Sequence, residues 1–460
     1  MATQHIIIGG GPVAINAVET IREFDAAAQV TLISDERAHS RMALPYWLSG
    51  QVPREHTYTA DDASLKQLNV DARIGQRVES IDPDGSTVTL DDGSTLAFDN
   101  LLIATGSSPS ELQIPGTDLS GVQNLWTLDH TQSLLDTIDG KERPKVVMIG
   151  AGFNACIMVN AMYKRGWQLA VIARGQMPSA RVIDEGGAAL VEPWLREKGV
   201  ELHCGATVPS ITDAGDGTKV VELDNGTTIT ADAVVMLVGV KANTDLVHGS
   251  GIEMDQGILV NDRMQTNFAN IYAGGDVAQG PALYSDKPEV HAIHPTAVDH
   301  GRIAGANMAG HEVHYPGSLS MNVLDNCGLQ TFCFGNWNDA EAETMTISNP
   351  GGYIYRKLLW RADQLVGAVL VGPANDMGML TDVGMVKGIL QTQTRLGQWK
   401  QFLAENPFDI RRAYIGAGVA QKLIGMTLTG QASRPRGFRF DGKIPTAKVS
   451  DAHATFMGTK

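Results

Sequence analysis

Residues 5–36 read HIIIGGGPVAINAVETIREFDAAAQVTLISDE, and the fold of the chain turns on them. The run passes from an apolar strand through a glycine turn into a helix, then into a second strand, VTLIS. Gly9, Gly11 and Ala14 occupy the positions of a G-x-G-x-x-G/A turn, with Pro12 directly after the second glycine. The first glycine permits the tight turn, and the second lets the backbone approach a pyrophosphate. The small third residue lets helix and strand pack closely. Backbone N–H groups at the helix start then face the phosphates. The second strand ends at Asp35-Glu36, where a carboxylate accepts hydrogen bonds from an adenosine ribose, and Glu36 is the preferred candidate. A glycine turn alone is a weak sign, but strand, turn, helix, strand and terminal acid in order make a strong one. The alternative is an α/β turn that binds no nucleotide.

The pattern recurs at residues 145–175, KVVMIGAGFNACIMVNAMYKRGWQLAVIARG, where Gly150, Gly152 and Ala155 repeat the spacing. Two fingerprints about one domain length apart imply two dinucleotide sites, one nested within the chain that forms the other. FAD with NAD(P)H is the usual pairing. The second copy ends in Ala173-Arg174-Gly175 where an NAD site carries an acid. Loss of the carboxylate and gain of a guanidinium suit a 2′-phosphate, and Arg181 in the following loop adds a second cation. NADPH is therefore expected ahead of NADH, with a second fold that binds no productive nicotinamide as the alternative.

The bulk numbers fit. A chain of 460 residues exceeds one ordinary domain. Its 43% hydrophobic content, 50 glycines and 6% aromatic residues suit an α/β protein with many tight turns. A formal net charge of −15 argues against nucleic acid and anionic membranes as partners. It suits either a solvated acidic surface or steering of a basic protein. Cys156, Cys204, Cys327 and Cys333 form no C-x-x-C pair, so neither a disulfide framework nor a zinc site is expected. No uncharged run approaches the ~20 residues that span a bilayer. The chain enters its first strand with no leader-like segment, so a cytoplasmic protein without a membrane span is expected.

Further segments carry a family resemblance. FDNLLIATGSSP (98–109) resembles the strand and ATG turn of two-dinucleotide flavoproteins, and TNFANIYAGGDVAQG (266–280) resembles their second FAD motif. SRMALPYWLSG (40–50) is similar to the C-x-LPY-x-x-x-G segment of flavin disulfide reductases and NADH oxidases. It also resembles the flavin domain of NAD(P)H nitrite reductases and, more loosely, ferredoxin and rubredoxin reductases, as does HPTAVDHGRIAGANMAG (294–310). Together these resemble the pyridine nucleotide-disulfide oxidoreductase fold over about residues 5–310.

The resemblance implies FAD held by Val78, Ala104, Thr105, Gly106 and Gly275, with Asp276 on the ribitol. Arg41 and Pro45 shape the wall beside the isoalloxazine, and Pro295 and Thr296 open a helix at its pyrimidine edge. The implied function is an FAD-dependent oxidoreductase that passes electrons from a nicotinamide nucleotide to a redox protein, partner subunit or small acceptor. Alternatives are a flavin dehydrogenase or electron-transfer subunit acting on another substrate, and a redox-sensing flavoprotein module. A homodimer or larger oligomer is implied through the C-terminal domain.

Two departures matter. Met42 stands where disulfide reductases carry the flavin-facing cysteine, so cysteine-based chemistry is excluded and an apolar, polarisable filler is expected. Tyr46 and Ile157 match positions where ferredoxin-reductase relatives tend to pair a lysine with a glutamate beside the flavin, which implies a less polar pocket. Met42, Tyr46 and His294 are the candidates beside the reacting ring. His294, with His291 and His300 nearby, is a candidate general acid, against a reading as helix-entry and packing residues.

The expected architecture is α/β, with two Rossmann-like dinucleotide-binding domains and a smaller α+β C-terminal domain. The FAD domain takes 1–112 and 245–319, the NAD(P) domain 113–244, the interface domain 320–410, and an extension 411–460. Within 352–372, GYIYRKLLWRADQLVGAVLVG, two strands are expected around a turn at Arg361-Ala362-Asp363. Cys327 and Cys333 are expected in one strand as core thiols, and Cys156 buried against the second sheet. The basic tail ASRPRGFRFDGKIPTAK (432–448) suits a neighbouring subunit, an acidic redox partner, or plain solvation.

Overall fold

In the computed structural model, which describes residues 2–178, 182–423 and 428–429, Gln4–Ile8 is the middle strand of a five-stranded parallel sheet. The sheet order is Ile271–Ala273, Asn100–Ile103, Gln4–Ile8, Gln29–Ser34, Val70–Ile74. Ile6, Ile7 and Ile8 are all buried, as a parallel strand covered on both faces requires. Helix Pro12–Phe24 follows the glycine turn, and helix His294–Met308 packs along it. That contact needs small residues, because a Cβ on Gly301 would come within 2.4 Å of the Val13 carbonyl oxygen and one on Gly305 within 2.7 Å of that of Ala17. The close packing sets the start of the later helix beside the first glycine turn.

The second sheet repeats the design, in the order Glu201–Cys204, Gln168–Ala173, Lys145–Ile149, Ala233–Met236, Val122–Asn124, all parallel. In both units an antiparallel three-stranded sheet interrupts the crossover: Val78–Asp82 with Thr87–Leu90 and Thr95–Ala97 in the first, Ser210–Asp213 with Lys219–Glu222 and Thr228–Ala231 in the second. Strands Ser107–Pro109 and Val240–Ala242 pair antiparallel where the chain passes between the units.

The third unit is an antiparallel sheet in the order Met321–Asn326, Leu329–Gly335, Gln364–Pro373, Ile354–Arg361, Glu343–Asn349. Its inner face, with Cys333, Tyr355, Val369 and Val371, joins the core of the second nucleotide unit, and helix Met377–Gln391 covers the other face. The turn expected at 361–363 is present, with Ala362 at φ +54°. The single strand expected through Cys327 and Cys333 is not. Cys327 sits at φ +54° in a hairpin turn, and the next strand begins at Leu329. The Asp325 side chain accepts the Gly328 N–H at 2.7 Å and closes that turn. Both thiols are buried, and burial pushes the Cys327 pKa up to about 12, as inert core thiols require. Among the described residues no helix is long and apolar enough to cross a membrane. The basic tail and most of the extension after 423 lie outside the described residues.

Candidate dinucleotide and flavin site

The two glycine turns match in geometry. Gly9 has φ +112° and a Cβ there would stand 2.2 Å from the Ala104 carbonyl oxygen; Gly150 has φ +119° and its Cβ would stand 2.1 Å from that of Leu237. Neither position admits a side chain. Gly11 and Gly152 cap the two helices in extended conformation, and a Cβ on either would meet no protein atom within 4 Å. A methyl there would project into open space at a helix N-terminus, where a pyrophosphate needs the backbone bare. Ala14 and Ala155 are buried one turn further in. The residues present therefore fit a dinucleotide at each turn.

A cavity of 1660 Å³ opens at the C-terminal edge of the first sheet. That exceeds the ~300–1,000 Å³ of an ordinary ligand pocket, so it has room for more than one ligand. Gly9, Gly11, Pro12, Glu36, Arg41, Met42, Pro45, Val78, Ala104, Thr105, Gly106, Gly275, Asp276, His294 and Pro295 all line it. The second unit contributes the start of its own helix, Phe153, Asn154, Ile157 and Met158. Of the remaining candidates, Thr296 is buried in the first turn of helix His294–Met308. Gly150, Gly152 and Arg174 are not among its lining residues: the two glycines directly precede the helix start that does line it, and Arg174 is exposed just past strand Gln168–Ala173. Arg181 lies outside the described residues.

Tyr46 is not where its alignment put it. Helix Leu44–Leu48 turns Leu44, Trp47 and Leu48 into the core, and this leaves Tyr46 51% exposed and outside the cavity lining. Ile157 alone of the expected Tyr46–Ile157 pair reaches the wall. Met42 does line it, with 47% of its surface open.

The polar groups form a connected set. Glu36 pairs with Arg41 at 2.9 Å, and the guanidinium lies over the Trp126 ring at 5.3 Å. Asp35 is taken by Arg77 at 2.6 Å, which leaves Glu36 as the acid turned inward. The Trp126 indole donates to the Ser107 carbonyl at 2.9 Å, and the Ser107 hydroxyl donates to Asp276 at 2.7 Å. The Nε of Arg41 is buried without a hydrogen-bond partner among the described residues, the state of a donor waiting for an anion. Asn243 and Thr105 exchange two hydrogen bonds, 2.9 and 2.8 Å, and clamp the ATG turn to the return strand.

The histidines separate by environment. His294 lines the cavity and burial lowers its pKa, so it is neutral near pH 7. His300 faces away: its Nδ1 accepts the Gly275 N–H at 3.2 Å, and burial pushes its pKa down to about 3. It fixes the backbone beside Asp276 as a neutral ring. His291 bridges the Ser318 hydroxyl and Glu289. Trp126, Asn243, Met321 and Val323 also line the cavity, each arriving from a distant segment.

A family model described as pyridine nucleotide-disulphide oxidoreductase matches residues 3–301. The epsilon subunit of the NADH-dependent phenylglyoxylate dehydrogenase of Aromatoleum evansii is 29% identical over 415 residues, covering 89% of this chain and 96% of that subunit. The NAD(P)H nitrite reductase of Bacillus subtilis is 27% identical over 378 residues, covering 81% of this chain, which spans 46% of that enzyme's length. The covalent putidaredoxin reductase–putidaredoxin complex matches with a TM-score of 0.80 at 20% identity, covering 91% of this chain and 99% of that one.

Proposed function

The chain belongs to the pyridine nucleotide-disulphide oxidoreductase family and is an NAD(P)H-dependent FAD oxidoreductase; from that premise we propose that NADPH is its preferred donor and a redox protein or partner subunit its acceptor. The observation that carries this reading is a cavity lined by the starts of the helices after both glycine turns, large enough for a flavin and a nicotinamide to meet. FAD, when bound, takes a hydride and releases electrons singly or in pairs. The N-terminus of helix Pro12–Phe24 would hold its phosphates, Glu36 the adenosine ribose and Asp276 the ribitol; Arg41, expected beside the isoalloxazine, is paired with Glu36 instead, and its Nε would reach the phosphates. Pro45 and Met42 wall the reacting ring.

The preference for NADPH is supported by Ala173 and the exposed Arg174 at the end of strand Gln168–Ala173, where an NAD site carries an acid. Transfer onward is supported by the absence of cysteine from the described cavity lining and by a relative that is itself a subunit of a larger enzyme. The reading includes a cytoplasmic location, supported by a cysteine set of four with no C-x-x-C pair. It also includes a homodimer or larger oligomer, supported by exposed Met377, Phe408 and Ile415 in the C-terminal unit. Arg174→Asp tests the donor assignment: the NADPH-to-NADH ratio of kcat/KM is expected to fall by about tenfold or more, the worth of one charge-assisted contact. An unchanged ratio would remove Arg174 from nicotinamide recognition.

A further inference from the structure

The loop between strand Ala278–Gln279 and helix His294–Met308 carries a line of polar groups that the cofactor site leaves unused. Exposed Glu289 meets the Nε2 of His291 at 2.9 Å, and the Nδ1 of His291 meets the buried Ser318 hydroxyl. Ala292, Ile293 and His294, the next three residues, line the cavity. Of the three histidines near this helix start, His291 has a carboxylate partner, whereas His294 and His300 have none among the described residues. The Ser318 hydroxyl also lies 3.5 Å from a second acceptor, the Pro281 carbonyl. These contacts suit the ring in both charge states. When it is neutral, Nε2–H donates to Glu289 and Nδ1 accepts from Ser318. When it is protonated, Nδ1–H donates to the Ser318 oxygen, and the hydroxyl hydrogen turns to Pro281. Neither state strands a donor. Burial lowers the His291 pKa, which favours the neutral ring near pH 7.

We infer that His291 takes up a proton from solvent when the neighbouring cavity gains the charge of a hydride, and gives it back as the electrons leave. This rests on the reading above that FAD occupies the cavity. A hydride brings two electrons with one proton, so it adds one negative charge. A unit charge about 10 Å from a histidine raises its proton affinity about tenfold at the effective dielectric of a protein. Two other titratable groups face the ring: Glu289, which favours the proton, and His300, which burial keeps neutral. The proton enters at Nδ1, and exposed Glu289 marks the side open to solvent. When two one-electron acceptors take the electrons, the hydride's proton and that of His291 both return to water. The turnover balances as NADPH + 2 A(ox) → NADP⁺ + H⁺ + 2 A(red), with His291 unchanged. His291 is thus a positioning residue for charge and touches no reacting atom.

The test titrates the histidine ring signals of the full-length, FAD-loaded protein by NMR. One titration has the flavin oxidised; the other follows anaerobic reduction with dithionite, so that the nicotinamide site plays no part. His291→Phe identifies the His291 signal by its loss, and Glu289→Gln, a surface change, marks it by its shift. The proton affinity of His291 is expected to rise about tenfold on reduction, while His300 stays neutral. Glu289→Gln should lower that affinity about tenfold in both redox states and leave FAD bound. Linkage requires the reverse effect as well. Measured against a reference dye, flavin reduction should gain about tenfold as pH falls through the His291 titration, and His291→Phe should lose that gain. A residue that only ties the loop in place would shift the reduction equilibrium equally at every pH. A His291 affinity unchanged by reduction, or the same pH dependence in wild type and His291→Phe, would overturn the assignment. A flavin that NADPH fails to reduce would overturn the donor reading instead, and leave this result standing.

Discussion

Replacing each fingerprint glycine by alanine separates folding from ligand binding. At Gly9 the added methyl lands 2.2 Å from a backbone oxygen at φ +112°. The left-handed backbone alone costs an L-residue about 1–2 kcal/mol, and pushing the strand aside costs about 1–3 kcal/mol more. Gly9→Ala should therefore destabilise the apoprotein by about 2–5 kcal/mol, a fall of roughly 5–15 °C in Tm for a unit of this size. At Gly11 the methyl meets nothing, and the backbone at φ −78° and ψ −174° is open to any residue. Gly11→Ala should leave apoprotein stability within about 1 kcal/mol. It should still weaken FAD by about tenfold to a hundredfold, because displacing the pyrophosphate forfeits a charge-assisted bond worth about 1.5–3 kcal/mol. The assays are thermal unfolding of apoprotein and quenching of FAD fluorescence on titration. Wild-type FAD affinity in Gly11→Ala, or wild-type stability in Gly9→Ala, would overturn this division of roles between the two glycines. In the second copy, Gly152→Ala should keep FAD affinity and weaken the nicotinamide instead.

His300 should make the protein acid-sensitive. Its folded pKa of about 3 lies below the ~6.5 of an unfolded histidine, so the unfolded chain takes up the proton first as pH falls. Its share of stability is whole above pH ~6.5 and drains towards pH 3, by about 2 kcal/mol between pH 7.5 and 5. His300→Gln, which keeps an acceptor for Gly275, should flatten the slope of urea stability over that range. Arg356 and Asp382 form a buried ion pair at 2.5 Å, so Asp382→Ala should cost about 3–5 kcal/mol by stranding the guanidinium. Arg356→Met with Asp382→Leu should recover most of that in chemical denaturation. Trp126→Ala removes the ring under Arg41 and should weaken FAD by about twofold to thirtyfold, with apoprotein Tm little changed.

Much of this site was legible because backbone geometry demanded particular residues. Gly9 and Gly150 have no alternative at their φ values, so the sequence had to write them. Asp276 and the 104–106 turn were found by likeness to a family pattern and do line the cavity. Tyr46 was misplaced because an aligned position says nothing of helix rotation. The spacing of Leu44, Trp47 and Leu48, i, i+3 and i+4, already turned Tyr46 outward. The strand expected through Cys327 failed because the local hydrogen bond from Gly328 to Asp325 outweighs the β-forming character of its neighbours. Trp126 was invisible for another reason: its place under Arg41 comes from a contact between distant segments, and no local spacing encodes that.

NADPH and FAD are proposed to meet in one cavity. Anaerobic titration of the FAD-loaded protein tests it most directly. One equivalent of NADPH should bleach the flavin absorbance in full, faster than NADH does, and Gly152→Ala should slow the bleaching without releasing FAD. A flavin that stays oxidised with both nucleotides would rule out a shared cavity for hydride transfer.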